Sequence, residues 1–178
     1  ADRCHSLGAW MPWANKEVDA MVYSFHPVKG ITTAEGGMVT TNREDLADSM
    51  RLYRNNGIKN HSDREDWDYV VARDGRNYRM SDLHAALGVS QLLRLPQFLA
   101  RRRDIAKRYN KAFGPTRMAD ITIKPLTDIG SRSPRHAYHL YVVRGCGPKL
   151  ASRDDERRNR FYSALRAEGI GVNVHYPP

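Results

Sequence analysis

Short strand-like segments alternate with amphipathic helices along the chain, and this alternation limits the possible folds more than any other feature. The predicted helices carry their own end signals: one runs from an N-cap at Asn42 to Asn56-Gly57, one from Ser81-Asp82 to a break or kink at Pro96, one follows directly, and one runs from Ser152 to Gly169. The helix that begins near Ser81 is predicted to place Leu83, Ala86, Leu87, Leu92 and Leu93 toward a core. The predicted strands are rich in β-branched and aromatic residues: Val18 to Phe25, Gly37 to Thr41, Ile121 to Ile123, Ala137 to Val143 and Ile170 to His175. This order predicts an α/β protein.

The positive charge of the chain admits several kinds of anionic partner. Lys and Arg number 29 against 20 acidic residues, a formal net charge of +9, which suits nucleic acid, an anionic surface or a phosphorylated ligand. The arginines lie mostly on amphipathic helices, where a solvated face is expected, and neither a nucleic-acid-binding motif nor metal-ligand spacing is present. No apolar run is long enough to span a bilayer, and two cysteines without a CxxC pair are typical of a cytoplasmic protein.

One segment concentrates reactive and small side chains. It reads YSFHPVKGITTAEGGMVTTN from Tyr23, with a hydroxyl at Ser24, an imidazole at His26 and a single lysine at Lys29 in a turn that follows a strand. A lysine in a tight loop at the end of a strand can be partly desolvated, and its neutral amine can then attack a carbonyl and form a Schiff base. The residues alone leave a second interpretation open, an ordinary solvated lysine.

Ordered sequence blocks along the chain share a pattern with one known family. They are Asp2 to Ala9 (D-x-x-H-x-x-G-A), Ser24 to Gly37, Gly75 to Tyr78 followed by Ala85 to Gly88, Ala137 to Tyr141, and Gly169 to Tyr176. Together these blocks resemble the DegT/DnrJ/EryC1/StrS family of sugar aminotransferases, which depend on pyridoxal 5'-phosphate. The intervening run from Trp10 to Asn15 departs from the family, which usually has a basic, glycine-containing stretch there.

The resemblance implies the aspartate-aminotransferase-type fold, fold type I, for this α/β chain. Residues 1–95 would complete the large cofactor domain, and residues 96–178 would form most of the small domain after a bent helical connector. Family members are considerably longer, so the chain looks like a fragment. We therefore expect these 178 residues by themselves to bind the cofactor weakly or not at all.

The resemblance also implies roles for residues around the cofactor. Lys29 matches the lysine that bonds covalently to pyridoxal phosphate and then acts as a general base. Asp2 matches the carboxylate that pairs with the pyridine nitrogen, and His5 lies where the family places a His or Gln beside the ring and its phenolic oxygen. Ser24 matches a hydroxyl that donates to the phosphate.

Further matches concern the partner subunit and the substrate. Asn77 matches an amide that reaches the phosphate of the neighbouring subunit, which implies a homodimer with shared active sites. Asn173, His175 and Tyr176 correspond to a family segment near the sugar-nucleotide substrate. For His175, the residues alone also leave a packing role open.

The implied reaction is transamination of a nucleotide-linked sugar. The Thr32–Gly37 and Leu95–Leu99 runs resemble those of the 4-aminotransferases of pseudaminic acid biosynthesis, which move an amino group from L-glutamate to a UDP-linked 4-keto-6-deoxy-N-acetylhexosamine. Lys29 argues against a family branch that dehydrates sugars and has histidine at this position. The alternatives are another UDP- or dTDP-ketosugar aminotransferase, a non-catalytic regulatory homologue that binds pyridoxal phosphate, and a basic nucleic-acid-binding module.

Overall fold

The structure is a computed structural model. It describes residues 1–9, 18–60, 65, 67–113, 117–118, 121–125, 136–146 and 155–175. The chain divides into two compact units, Ala1–Arg108 with Ile129–Tyr141, and Tyr109–Asp128 with Val142–Pro178. The domain boundary expected after residue 95 falls within the long helix Asp82–Ala112. The assignment of a large cofactor domain and a small domain stays a prediction.

The first unit begins with two antiparallel strands, β1 (Met21–Ser24) and β2 (Gly37–Thr40). The segment around Arg3 runs parallel to β1, since the Arg3 N–H donates to the carbonyl oxygen of Val22 at 2.8 Å. This pairing sets the Asp2 block alongside the strand that leads into the Lys29 loop.

Helix α1 (Glu44–Arg54) follows β2 and ends where the sequence predicts. Asn56 and Gly57 both adopt positive φ, 59° and 70°, which takes the chain out of the helix. The predicted N-cap is wrong by one residue: Arg43 occupies that position, and its own N–H donates to the Thr41 hydroxyl at 3.0 Å.

A short hairpin, β3 (Ile58–Asn60) paired antiparallel with β4 (Tyr69–Val71), comes next and was not predicted. Each strand has only three residues, too few to show a period-two pattern. The chain then returns to the end of α1, where the Arg76 N–H donates to the Tyr53 carbonyl oxygen at 2.7 Å. This strap, residues 72–78, carries the predicted phosphate ligand Asn77.

Helix α2 (Asp82–Ala112) is one continuous helix, so Pro96 does not break it, and of the two predicted effects only the kink stays a prediction. Proline has no N–H, so the carbonyl of Leu92 loses its helical partner. Leu92 is 53% exposed, and water can hydrogen-bond its carbonyl in place of the missing donor. An exposed proline can therefore be accommodated without ending the helix.

The expected core face of the first half of α2 is also wrong. A Cβ at Gly88 would lie 2.8 Å from the methyl carbon of Thr33, so this glycine faces the Lys29 loop and sets the rotation of the helix. Leu99, on the same side, is buried. Several large apolar side chains lie on other sides and are exposed: Leu83, Leu87, Val89 and Leu93. Leu92, one turn after Gly88 and on the same side, is also exposed.

The second unit contains an antiparallel sheet with the strand order β5 (Arg117–Met118), β6 (Ile121–Pro125), β7 (Val143–Cys146). The strand predicted over residues 137–143 does not form; residues 136–142 are irregular and β7 starts at Val143. Tyr138 has a positive φ of 46°, which no strand accommodates.

Helix α3 (Asp155–Ala167) ends as predicted at Gly169, although its predicted start at Ser152 lies outside the described residues. Gly169 has a φ of 76°, and the Ile170 N–H donates to the Leu165 carbonyl oxygen at 2.9 Å, as in a Schellman motif. The strand predicted over 170–175 does not form, because the Val172 N–H donates back to the Ile170 carbonyl oxygen and the chain turns locally.

Candidate active site

The Lys29 loop is folded by hydrogen bonds between near neighbours. The Lys29 N–H donates to the His26 carbonyl oxygen at 2.9 Å, closing a turn with Pro27 in its second position, where a fixed φ of about −65° is favourable. The Phe25 carbonyl oxygen accepts the Thr33 N–H at 3.0 Å, which closes the loop as a whole. Phe25 and Thr33 are buried, and the Lys29 side chain stays half-buried at the end of the strand.

Lys29 contacts His5 directly. The distance from Lys29 Nζ to His5 Nε2 is 2.8 Å, which is hydrogen-bonding distance. An ammonium group at Lys29 donates to an unprotonated Nε2, and a neutral amine accepts from Nε2–H. The two side chains can therefore hold one proton between them in either direction.

A carboxylate adjoins this pair. Asp2 accepts the Cys4 main-chain N–H at 2.8 Å, and hydrogen bonds from the Cys4 main chain and thiol are the main causes that lower the pKa of Asp2. The positive charges of His5 and Lys29 lower it further, to a smaller degree. The Cys4 thiol has a raised pKa because it hydrogen-bonds Asp2 and is partly buried. Asp2 therefore stays anionic at neutral pH while Cys4 stays a thiol.

Arg3 is a buried charged residue that the sequence did not single out. It is 7% exposed, its Nε donates to the Ser6 hydroxyl at 2.7 Å, and its Nη2 donates to the Ala9 carbonyl oxygen at 3.3 Å. These bonds fold the chain back after Asp2 and hold His5 toward the Lys29 loop. One arginine among many cations carries no sequence signal of burial.

A small pocket of about 10 Å³ lies beside His5. A Cβ at Gly30 would meet no atom within 4 Å, so space is open next to Lys29. The His139 ring packs against the His5 ring with centroids 4.2 Å apart and planes tilted by 39°. The pocket is lined by Cys4, His5, Leu7, Gly30, Leu99, Arg102, Ala137 and His139. His139 and Arg102 had no predicted role, although His139 lies in one of the matching blocks.

Ser24 and Asn77 lie in the same unit as Lys29. The Ser24 hydroxyl oxygen accepts the His26 N–H at 3.4 Å, which leaves its hydrogen able to donate to a ligand. Asn77 lies in the strap beside Asn55, and its side chain is exposed. In the part of the chain that the structure describes, no contact joins Asn77 to the Lys29–His5 pair.

The predicted substrate residues belong to the second unit. Asn173 and His175 are exposed and follow α3, where the Asn173 side-chain oxygen accepts the Val174 N–H at 2.9 Å. Tyr176 lies outside the described residues. Among the residues described, no group of three or more His, Cys, Asp or Glu is placed to hold a metal ion.

Comparison with known proteins identifies the relationship. All of residues 1–178 match the model of the DegT/DnrJ/EryC1/StrS aminotransferase family. The chain belongs to this family. A curated member from Campylobacter jejuni serotype O:2, "UDP-4-amino-4,6-dideoxy-N-acetyl-beta-L-altrosamine transaminase", is 37% identical over 99% of this chain and 44% of its own length. The chain thus spans less than half the length of this relative.

Solved structures from the DegT/DnrJ/EryC1/StrS family confirm the predicted fold class. PseC from Helicobacter pylori, described as an aminotransferase involved in the biosynthesis of pseudoaminic acid, superposes with a TM-score of 0.83 at 31% identity over 99% of this chain and 44% of its own. The sugar aminotransferase Spr1654 from Streptococcus pneumoniae gives 0.82 in its PMP form and 0.79 in its PLP form, at 31% and 30% identity, over 99% of this chain and 43% of its own. The chain is therefore α/β, part of a fold type I transferase. Within the described ranges, no helix combines the length and apolar character that crossing a bilayer requires.

Proposed function

We propose that the protein carrying this chain is a nucleotide-sugar aminotransferase that uses pyridoxal 5'-phosphate. The observation that carries the proposal is the 2.8 Å contact between Lys29 Nζ and His5 Nε2, with the anionic Asp2 beside it, in a chain that matches the aminotransferase family throughout. The PLP and PMP forms of Spr1654 support the choice of cofactor.

The donor set of the site suits this cofactor. When bound, pyridoxal phosphate supplies an aldehyde that carries the amino group and a ring that withdraws electrons. Lys29 would bond to it and, once released, take and return a proton at Nζ, with His5 Nε2 able to share that proton. Asp2, whose lowered pKa keeps it charged, would pair with the ring nitrogen.

Other residues would bind the phosphate of the cofactor and the sugar nucleotide. We assign Ser24 to the cofactor phosphate on the basis of its available hydroxyl hydrogen. We assign the exposed Asn77 to the phosphate in the active site of a second copy, which makes the protein a homodimer with shared sites. Asn173, His175 and Tyr176 remain our assignment for the sugar nucleotide.

The substrate proposal follows the named relatives. We propose amino transfer to C4 of a UDP-linked 4-keto-6-deoxy-N-acetylhexosamine, because the matched relatives include an altrosamine transaminase and PseC. We also propose L-glutamate as the amino donor and the cytoplasm as the location, which the resemblance to the family implies. A UDP- or dTDP-linked ketosugar of another configuration is the alternative within the same chemistry.

The first experiment maps the covalent bond. The full-length protein that carries this chain is incubated with pyridoxal phosphate, reduced with borohydride and digested, and the modified peptide is identified by mass spectrometry. We expect the label on Lys29. Lys59→Ala, at an exposed strand lysine, is the matched control and should leave the label in place, whereas Lys29→Ala should remove it.

Turnover then separates the alternatives. Amino transfer from L-glutamate to the UDP-ketosugar, abolished by Lys29→Ala, supports the full proposal. Labelling at Lys29 without turnover of any UDP- or dTDP-ketosugar would favour the non-catalytic regulatory homologue. A folded protein that takes no label at Lys29 would overturn the aminotransferase assignment.

A further inference from the structure

Two arginines of α2 hold a distant, irregular segment by its main chain. Arg102 Nη1 donates to the carbonyl oxygens of Tyr138 at 3.1 Å and His139 at 3.2 Å. Arg103 Nε donates to the carbonyl oxygen of His136 at 3.1 Å. Hydrogen bonds from a charged donor are stronger than those between neutral groups. Residues 136–139 are therefore bonded to the helix through three carbonyl oxygens.

The fastened segment has a conformation that needs such support. Tyr138 lies in the left-handed region at a φ of +46°, which a residue with a large side chain rarely adopts. Its N–H donates to His136 Nδ1 at 3.0 Å, so the bend is bonded locally as well. Conformations of this kind persist where surrounding contacts over-determine them, and they concentrate at functional sites.

The bend places the His139 ring against the His5 ring of the Lys29–His5 pair. The His139 ring centroid lies 4.2 Å from that of His5, and His5 Nε2 lies 2.8 Å from Lys29 Nζ. An imidazole can turn about its side-chain bonds, so a ring packed against one side limits the directions in which Nε2 can point. A chain of direct contacts thus leads from Arg102 through His139 to His5 and Lys29.

We propose that Arg102 is a positioning residue for the Lys29–His5 pair. Its guanidinium fixes the main chain at residues 138–139, which keeps the His139 ring against His5 and Nε2 aimed at the lysine. This inference rests on the proposed function in so far as Lys29 is the reacting amine. It distinguishes Arg102 from Arg101, the adjacent exposed arginine of the same helix.

The decisive test needs no cofactor. Histidine rings are labelled with ¹³C, and the His5 signal is assigned by its loss in His5→Gln. We expect Arg102→Ala to shift the His5 ring signal, Arg102→Lys to shift it less because the lysine keeps a charged donor, and Arg101→Ala to leave it in place. An unmoved His5 signal in Arg102→Ala, or an equal shift in Arg101→Ala, would overturn the proposal.

A kinetic measurement separates positioning from substrate contact, because Arg102 also lines the pocket. We expect Arg102→Ala to slow the trapping of pyridoxal phosphate at Lys29 and to lower kcat by about tenfold or more, with KM within about twofold, since misplacement by about 1 Å can cost about 100-fold. A raised KM at unchanged kcat would instead assign Arg102 to substrate binding and overturn the proposal.

The failures of the two proposals are distinguishable. If the unaltered protein takes no pyridoxal phosphate at Lys29, the proposed function fails, while the ring signals of the cofactor-free protein still decide the role of Arg102. If Arg102→Ala does not fold, Arg102→Lys tests the role of Arg102 instead. A large fall in kcat in Arg102→Lys, with a His5 signal identical to that of the unaltered protein, would contradict positioning through His5.

Discussion

Helix α2 presents two different surfaces along its length. The half that begins at Leu99 has a covered face: Leu99 and Ala106 are 9% and 2% exposed, and Arg102 is bonded to the 138–139 main chain. Before that point, Leu83 and Leu93 are 83% and 78% exposed. The difference shows that apolar composition alone does not decide which part of a helix is buried, because the exposed half contains more leucine than the covered half.

The covered half is also the half that touches the candidate active site. Leu99 and Arg102 line the pocket beside His5, and Leu99 contacts the turn at Gly8. The exposed half approaches the Lys29 loop at Gly88, which faces Thr33. The covered half therefore supports the site by packing, whereas the exposed half leaves five large apolar side chains open to solvent: Leu83, Leu87, Val89, Leu92 and Leu93.

The largest expected effect contrasts one leucine from each half. Leu99→Ala should destabilise the protein by about 3 kcal/mol, because truncation of a buried leucine removes apolar burial and leaves a cavity. Leu93→Ala should change stability by less than about 0.5 kcal/mol at an exposed site. Urea denaturation of both variants measures the difference. Comparable losses would mean that the face bearing Leu93 is covered in solution, and the contrast between the halves would disappear.

A somewhat smaller effect is expected at the glycine that Leu99 covers. Gly8 has a φ of 78°, and a Cβ there would overlap the Leu99 Cδ1 atom. Gly8→Ala should therefore cost about 2 kcal/mol, combining backbone strain with overpacking. Gly169→Ala is the matched control, since its φ is 76° but its Cβ meets no atom within 4 Å. It should cost about 1 kcal/mol, from strain alone, and thermal unfolding of both variants compares the two.

A third change tests the one close approach made by the exposed half. Gly→Ala inside an ordinary helix stabilises by about 1 kcal/mol. Gly88→Ala should instead destabilise by about 1 kcal/mol, because the Cβ would press on Thr33, which is 2% exposed and bonded to the Glu35 carbonyl oxygen at 2.8 Å. Ser90→Ala, at an exposed position of the same helix, serves as the control in urea denaturation. A net stabilisation by Gly88→Ala would show that the loop yields to the added methyl group.

The smallest effect concerns pH and the segment that Arg103 holds. Burial first, and the charge of Arg103 second, lower the pKa of His136 from its ordinary value of 6.5. Because the unfolded chain then binds a proton more readily than the folded one, His136 makes stability fall as the pH drops below about 6.5. His136→Asn, whose side-chain oxygen can replace Nδ1 as acceptor for the Tyr138 N–H, should reduce this fall. Denaturation midpoints between pH 7 and pH 5 measure the slope, and an unchanged slope would contradict the prediction.

The sequence predicted correctly those features that depend on residues close together in the chain. Asn56-Gly57 and Gly169 end helices because each supplies a positive φ, a property readable from residue type. Lys29 stood out for the same reason, since Pro27 and the glycines that follow define its loop. The rotation of α2 was mispredicted because it depends on a contact between Gly88 and Thr33, far apart in sequence.

The sequence likewise predicted some residues of the candidate site and missed others. Asp2, His5 and Lys29 lie in recognisable blocks, and the structure places His5 against Lys29 with Asp2 close enough to sense both charges. Their roles toward a cofactor stay predictions. Arg3 and Arg102 could not be singled out, because residue type does not show whether an arginine is buried or solvated. Their acceptors include main-chain carbonyl oxygens, which every residue has, so the sequence does not identify them either.

The bonds that fold the Lys29 loop have a consequence for how the chain is made. They join Phe25 to Thr33 and Gly36, and loops of about ten residues close in roughly 10–100 ns, far faster than a ribosome adds a residue. The stacking of His139 on His5 must wait until most of the chain has been synthesised. The turn that bears the amine can thus form early in translation, whereas the support for its imidazole neighbour comes late.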